Sequence, residues 1–85
     1  MKYKASIDIM PHKELLDPQG KTVAKSMVNL KISGVDDVRI GKHIEMQLQA
    51  DSTAEAQEKV ELTCKKLLAN LIMETYSFEL EEIEG

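Results

Sequence analysis

A glycine followed by a lysine, Gly41-Lys42, interrupts the alternating run VRIGKHIEM at residues 38–46 and is the first candidate for chemistry. A Gly-Lys pair binds phosphate when it closes the pattern G-x-x-x-x-G-K-[ST] between a strand and a helix. Here His43 follows the lysine, Gly34 lies too far upstream, and a strand-like pattern follows. The spacing therefore favours a structural bend that exposes a basic side chain.

The segment Asp17-Pro18-Gln19-Gly20 is the second candidate, because backbone N–H groups at a helix start can bind an anion. The Asp17 carboxylate occupies the place that an anion would take, and Pro18 suits the first helical position. A helix start is therefore the favoured interpretation. Gly20 in the first turn costs about 1 kcal/mol relative to alanine, which indicates close approach of another segment and hints at an interface.

The two histidines and the single cysteine show no pattern of a metal site or a nucleophile. His12 and His43 lie in different segments, and neither has a second histidine or a cysteine at ligand spacing. Cys64 falls on the predicted buried face of a helix, where a core thiol is expected. The sequence therefore predicts no catalytic residue, no metal site and no cofactor.

Length and composition predict a single small domain over residues 1–85. The chain is 42% hydrophobic with two tyrosines, one phenylalanine and no tryptophan, so its core must be aliphatic. A net charge of −4 leaves no basic excess for a nucleic-acid backbone. No apolar run reaches the ~20 residues of a membrane span. A chain this short buries only about 60–65% of its unfolded surface, so self-association would help it.

Hydrophobic periodicity predicts the element order strand, helix, β region, helix, strand. The predicted elements are a strand at residues 2–10, a helix at Pro18 to about Leu30, a β region at residues 38–50, a helix at about Thr53 to Ala69, and a strand at about Tyr76 to Glu82. Short strands with two helices indicate an α+β fold, in which an antiparallel sheet carries both helices on one face.

Each predicted helix carries an apolar stripe that is expected to face the sheet. The first stripe comprises Val23, Met27 and Leu30, flanked by Ala24 and Val28. The second comprises Ala56, Val60, Cys64, Leu67 and Leu68. A capping box from Ser52 to Glu55 opens the second helix, and Asn70 is expected to close it in a left-handed conformation.

The β region around Gly41 admits two geometries. Its apolar residues are Val38, Ile40, Ile44, Met46, Leu48 and Ala50, all at even positions. A two-residue hairpin at Gly41-Lys42 would place apolar residues of one strand beside polar residues of the next. Either a three-residue hairpin loop at 41–43 or one long strand bent at Gly41 keeps the apolar face continuous.

Apolar residues also occupy the predicted connections. These are Leu15, Leu16, Leu71, Ile72 and Met73. Some can cap a small core, and the surplus indicates contact with another protein chain.

Three segments together resemble a known family. DPQG at residues 17–20, SGVDDVRIGKHI at 33–44 and YSFELEEI at 76–83 are similar to PurS, the small subunit of bacterial phosphoribosylformylglycinamidine synthase. The resemblance covers nearly the whole chain. It implies a non-catalytic, cytoplasmic subunit of purine biosynthesis that forms dimers or higher oligomers and bridges the ATP-dependent synthetase PurL and the glutaminase PurQ.

The resemblance also implies partner binding by Asp17, Gly20, Arg39, Gly41 and Lys42, with the two basic side chains presented for docking. The sequence departs from the family where Lys31 replaces a common glycine at the end of the first helix, and where Leu71 replaces a usual proline. The other hypothesis is a small dimeric ligand-sensing module, which would have a polar pocket where two chains meet.

Overall fold

The computed structural model describes residues 1–15 and 17–83, so Leu16 of the apolar connection lies outside the described residues. The elements are β1 (Lys2–Pro11), α1 (Pro18–Asn29), β2 (Lys42–Gln49), α2 (Thr53–Thr63) and β3 (Glu74–Ile83), and a π-helical turn at Cys64–Leu68 continues α2. The strands form one antiparallel sheet in the order β2-β1-β3. The predicted α+β class and element order are confirmed.

The central strand β1 builds the core through its alternation. Tyr3, Ala5, Ile7 and Ile9 are buried on one face of the sheet. The strand register sets Ile7 opposite Ile44 on β2 and opposite Phe78 on β3. Because side chains alternate between faces, one face of the sheet is apolar and the other is polar, as the sequence predicts.

Helix α2 covers the middle of the apolar face, over β1. Ala56, Val60 and Cys64 are fully buried against the sheet. Ser52 Oγ accepts a hydrogen bond from the Glu55 backbone N–H at 3.1 Å, which confirms the predicted cap. The Glu55 carboxylate reaches back to the N–H of Asp51 at 3.4 Å, one residue before the position of an ordinary capping box.

The π-helical turn changes which residues of this helix face the core. The Ala69 N–H bonds the Cys64 carbonyl at 3.0 Å, a spacing of five residues. The extra residue breaks the 3.6-residue repeat, so Leu68 packs against the core cluster. The prediction that Leu67 belongs to the buried stripe is wrong, since its side chain is 78% exposed.

The turn before β3 also differs from its prediction. Among the described non-glycine residues only Lys31 has a positive φ, so Asn70 is not left-handed. Its side-chain Oδ1 instead accepts a hydrogen bond from the Ile72 N–H at 3.2 Å. The Asn70 carbonyl accepts from the N–H groups of Met73 and Glu74 at 2.9 and 2.7 Å. Asn70 therefore organises the entry into β3 rather than the end of the helix.

The β region around Gly41 contains one strand and no hairpin. Neither of the two open geometries is observed, because residues 38–41 are not in a strand and β2 begins only at Lys42. A Cβ at position 41 would collide with the Ile9 carbonyl and the Met10 sulfur, so only glycine fits beside β1 there. Along β2, Ile44 and the other even-numbered residues are more buried than their polar neighbours, which confirms the predicted parity.

Helix α1 makes only marginal contact with the other elements, although two helices on one face were expected. Its single buried residue is Gly20, while Val28 and Leu30 of the predicted inner stripe are each 71% exposed. Residues 30–40 return toward the sheet, and the Val38 carbonyl lies against Gly20. We call residues 18–40 the arm.

The end of α1 keeps a glycine-type geometry without glycine. Lys31 has a φ of 62°, in the left-handed region. The N–H groups of Lys31 and Ile32 bond the carbonyls of Val28 and Met27, both at 3.0 Å. This is the Schellman arrangement. The helix ends at Asn29, within one residue of the predicted end at about Leu30.

The arm makes the chain elongated. Its principal dimensions are 51 × 28 × 15 Å and its radius of gyration is 16.7 Å, whereas a compact chain of this length would have a radius of about 12 Å. Its accessible surface is 6419 Å², about 1,300 Å² more than the roughly 5,100 Å² typical of a monomer of this mass. No helix within 1–15 and 17–83 has the length and apolar character needed to cross a bilayer.

Candidate partner-binding site at the arm junction

Asp17 fixes both ends of the arm with one carboxylate. Its Oδ1 accepts a hydrogen bond from the Gly20 N–H at 3.0 Å, which caps α1. Its Oδ2 accepts from the Ile40 N–H at 2.8 Å, at the end of the return segment. These two backbone donors, Gly20 first and then Ile40, lower the pKa of the Asp17 carboxyl from its ordinary value of 3.8. The charged carboxylate therefore holds the arm in its observed direction.

Gly20 allows the two limbs of the arm, helix α1 and the return segment at residues 30–40, to come into contact. A Cβ at position 20 would overlap the Val38 carbonyl and come within 2.9 Å of Asp17 Oδ2. The sequence predicts close approach of another segment here, and the structure confirms it. The approaching segment belongs to the same chain, so the glycine itself gives no evidence of an interface.

The two basic residues predicted for docking bind their own chain. The half-buried Arg39 donates through Nη2 to the Pro11 carbonyl at the end of β1. Lys42 Nζ lies 3.4 Å from the Leu68 carbonyl and 3.8 Å from Glu74 Oε2. The Lys42 side chain is still 54% exposed. Arg39 ties the base of the arm to β1. Lys42 ties the start of β2 to the π-helical turn and to β3, and it retains surface for a further contact.

The five predicted site residues gather at one end of the sheet, where β1 ends and β2 begins. We call this set the arm junction; it comprises Asp17, Gly20, Arg39, Gly41 and Lys42. Asp17 and Arg39 hold the arm through hydrogen bonds, Lys42 joins the start of β2 to the π-helical turn, and the two glycines permit close backbone contacts. The junction orients the arm by fixed polar contacts.

An open cavity of about 380 Å³ lies beside the arm junction. Its apolar wall includes Pro11, Leu15, Ile40 and Met73. Close by in the chain, Ile72 is 86% exposed at the tip of the turn before β3. The sequence feature that indicated a binding surface at this end of the molecule was the surplus of apolar residues in the connections, among them Leu15, Ile72 and Met73.

The histidines are separate from the arm junction residues. His43 Nδ1 lies 2.7 Å from Asp8 Oδ1 on the polar face of the sheet. His12 Nε2 lies 3.3 Å from the Leu71 carbonyl. Within the described part of the chain, no three His, Cys, Asp or Glu side chains come together as metal ligands would. The contacts of the arm junction fix the position of the arm and of its exposed apolar stripe relative to the sheet.

A half-covered apolar sheet face and a projecting helix with an exposed apolar stripe are typical of small α+β chains that bind other proteins. Comparison with known proteins agrees. Residues 4–82 match the family described as PurS, phosphoribosylformylglycinamidine (FGAM) synthase. The chain belongs to the PurS family.

Individual relatives give the extent of the likeness. The chain is 39% identical over 83 residues to the Synechocystis phosphoribosylformylglycinamidine synthase subunit PurS, covering 98% of this chain and 83% of the relative. The crystal structure of Methanocaldococcus jannaschii PurS matches with a TM-score of 0.85 and 34% identity, covering 96% and 99% of the two chains. A chain in the structure of PurLQS from Thermotoga maritima matches with a TM-score of 0.88 and 28% identity, covering 95% and 99%. These comparisons give no support to the ligand-sensing hypothesis.

Proposed function

We propose that this chain is the small subunit of a phosphoribosylformylglycinamidine synthase and bridges a PurL synthetase and a PurQ glutaminase. The observation that carries the proposal is the near-complete match to a chain of the Thermotoga PurLQS structure. The Methanocaldococcus relative is described as a subunit of the amidotransferase in the purine biosynthetic pathway. In this proposal the chain acts as a single domain in the cytoplasm and contributes contacts to the complex rather than reacting groups.

We also propose that two copies pair through their arms. Helix α2 runs over the middle of the apolar sheet face and leaves both flanks half-buried, with Met46 on β2 and Phe78 on β3 as examples. The arm carries an uncovered apolar stripe that includes Val28 and Leu30. A helix and a sheet flank that each lack a partner can cover one another when two copies exchange arms.

The exposed area supports this pairing. The surplus of about 1,300 Å² per chain exceeds the ~800 Å² that each partner buries in a standard interface. A symmetric pair that buries this surplus is in the range of stable homodimers. The extra accessible surface of the elongated chain is therefore large enough to account for a stable pair.

In this proposal the arm junction acts on partner binding indirectly. Asp17 and Gly20 set the direction of the arm, and Arg39 and Gly41 fix its base against β1. Lys42 is the residue best placed for a direct contact with PurL or PurQ, because about half of its side chain is exposed. Its ammonium group can exchange its long contacts to Leu68 and Glu74 for a partner carboxylate.

The bridging role is tested by reconstitution of the synthase from purified subunits. FGAM synthesis with glutamine as nitrogen source should require this chain, and pull-down of the chain should retain both PurL and PurQ. Synthesis with added ammonium chloride should depend on the chain far less, because free ammonia bypasses the glutaminase. Equal glutamine-dependent rates with and without the chain would show that the chain is not a bridging subunit.

Arm pairing is tested by sedimentation equilibrium of the chain alone. The wild-type protein should have about twice the chain mass of 9.6 kDa. Val28→Asp places a charge in the apolar stripe and should yield monomers, whereas Ser26→Asp on an exposed neighbouring position should remain paired. A monomeric wild-type protein, or a fully paired Val28→Asp variant, would rule out pairing through the arms.

A further inference from the structure

The outer side of β3 is a long free sheet edge. β3 pairs with β1 without interruption from Lys2↔Ile83 to Pro11↔Glu74, and its other side has no strand beside it among the residues that the structure describes. We call this side of residues 74–83 the β3 edge. Natural proteins usually protect such an edge with charged side chains, especially lysine, with proline, with a bulge or by a short length. β3 has ten residues, an unbroken register and neither lysine nor proline, and its charged side chains are all glutamates.

The opposite edge of the sheet differs. β2 is shorter, with eight residues, and it begins with Lys42. At its other end, Lys59 of α2 donates to the Gln49 carbonyl at 3.0 Å. A strand that added to β2 would meet a lysine at both ends. The β3 edge is therefore the more accessible of the two.

The side chains of β3 specify what could pair there. Glu79 and Glu81 are exposed on the polar face, while Phe78 and Leu80 are half-buried on the apolar face. Within the described residues neither glutamate forms an ion pair, because the nearby Lys4 binds Glu45 on β2 at 3.3 Å. Along residues 78–81 an incoming strand would meet alternating apolar and negative positions.

A second copy of β3 does not match this pattern. Full-length antiparallel pairing of two β3 strands would bring glutamates of both copies into opposite or diagonal positions. Like charges at such positions destabilise a sheet. A strand with lysine or arginine on the polar side and aliphatic residues on the other would form favourable cross-strand pairs.

We propose that the β3 edge binds an extended segment of another subunit in which basic and apolar residues alternate. This inference rests on the proposed bridging function for the origin of the segment, and on the strand geometry and charge for its chemistry. The added strand would continue the sheet through main-chain hydrogen bonds, while Glu79 and Glu81 select its basic side chains.

The chemistry is tested on the chain alone by NMR titration with the peptide acetyl-Val-Lys-Val-Lys-Val-Lys-Val-amide. Saturable shifts of backbone amides should centre on residues 74–83 and weaken with added salt. The acidic peptide acetyl-Val-Glu-Val-Glu-Val-Glu-Val-amide should not bind. The double variant Glu79→Lys/Glu81→Lys should reverse this preference, and the control Glu58→Lys on the exposed side of α2 should leave it unchanged.

The origin of the segment is tested in the complex. Glu79→Lys/Glu81→Lys should reduce retention of PurL or PurQ at least tenfold, and the control Glu58→Lys should retain both.

The edge proposal is wrong if the basic peptide produces no saturable shifts at β3, if both peptides bind equally, or if the double variant assembles as wild type does. It is also wrong if the double variant changes the mass of the isolated chain, since the edge would then join copies. A synthase that needs no small subunit would contradict the bridging function while leaving the peptide result intact.

Discussion

The two helices have similar lengths and similar starts but different surroundings. α1 has twelve residues and begins at a capping Asp17, while α2 has eleven and begins at a capping Ser52. α2 buries Val60 in the core, whereas the stripe of α1 around Val28 lies open to solvent. Amphipathic sequence therefore specifies that a helix has an apolar face, but it does not specify which surface covers that face.

The connections explain the difference. The short link before α2 contains Ala50, which is buried with Tyr3 and Ala56 in a cluster of its own, so the start of α2 is bound to the sheet. The start of α1 is bound by Asp17 and Gly20 to the return segment of the arm. α2 is thus part of the core of one chain, and α1 is part of a projection available to another.

The largest expected contrast between the helices comes from placing a carboxylate on each apolar face. Val60→Asp buries an unpaired charge and should abolish cooperative unfolding, since the penalty of several kcal/mol is comparable to the whole stability of a small domain. Val28→Asp should keep the wild-type circular dichroism spectrum at 20 °C. Similar loss of structure in both variants would mean that α1 is as necessary to the fold of one chain as α2 is.

A smaller loss is expected from Gly20→Ala. Alanine usually stabilises a helix interior by about 1 kcal/mol relative to glycine. At position 20 the added methyl group meets the Val38 carbonyl, so we expect urea unfolding to show a loss of about 1–3 kcal/mol instead. Gln19→Ala, at the exposed neighbouring position, is the control and should change little. A more stable Gly20→Ala protein would contradict the close packing of the two limbs.

Lys31→Gly is expected to stabilise the arm. A non-glycine residue in the left-handed region is strained, so removing the side chain at φ 62° should raise the stability by about 1 kcal/mol. Lys25→Gly, within the exposed part of α1, should lower it by about the same amount. Thermal unfolding of the two variants beside the wild type measures both effects. Equal destabilisation by the two glycines would argue against a left-handed Lys31.

The smallest effect concerns pH and Asp17. Because the folded chain lowers the pKa of this carboxyl, its contribution to stability is present above the ordinary value of 3.8 and is lost as the pH falls through the lower folded value. The wild type should therefore exceed Asp17→Asn in stability at pH 7, and the difference should shrink below pH 3.8. Urea unfolding of both proteins from pH 7 to pH 2.5 measures it. A difference that stays constant with pH would show that the charge is unimportant.

Local patterns predicted much of the fold. Alternation in β1 and β3 and the caps at Asp17 and Ser52 were evident because each depends on residues close in sequence. The structure adds two ion pairs of the same short range on α2, Glu55–Lys59 at 3.1 Å and Glu61–Lys65 at 3.5 Å.

Features that depend on distant contacts were not predicted correctly or fully. The π-helical turn directs Leu67 away from the core, and the helix propensities of residues 64–68 do not predict such a turn. The arm junction was predicted as a set of residues, yet the contacts of Arg39 with Pro11 and of Asp17 with Ile40 join segments more than twenty positions apart. Periodicity predicts that α1 has an apolar stripe, but it does not specify which surface that stripe packs on.

The two hydrogen bonds that the Asp17 carboxylate accepts, from Gly20 and Ile40, have a consequence for variation among related chains. Since one carboxylate joins the first turn of the arm to its last residue, the spacing between β1 and β2 is set at the base and is independent of what lies between. Residues can be inserted or removed near Gly34, at the far tip, without changing strand register, and the entropic cost of a longer loop grows only slowly. The length of the arm can therefore change while the sheet stays the same.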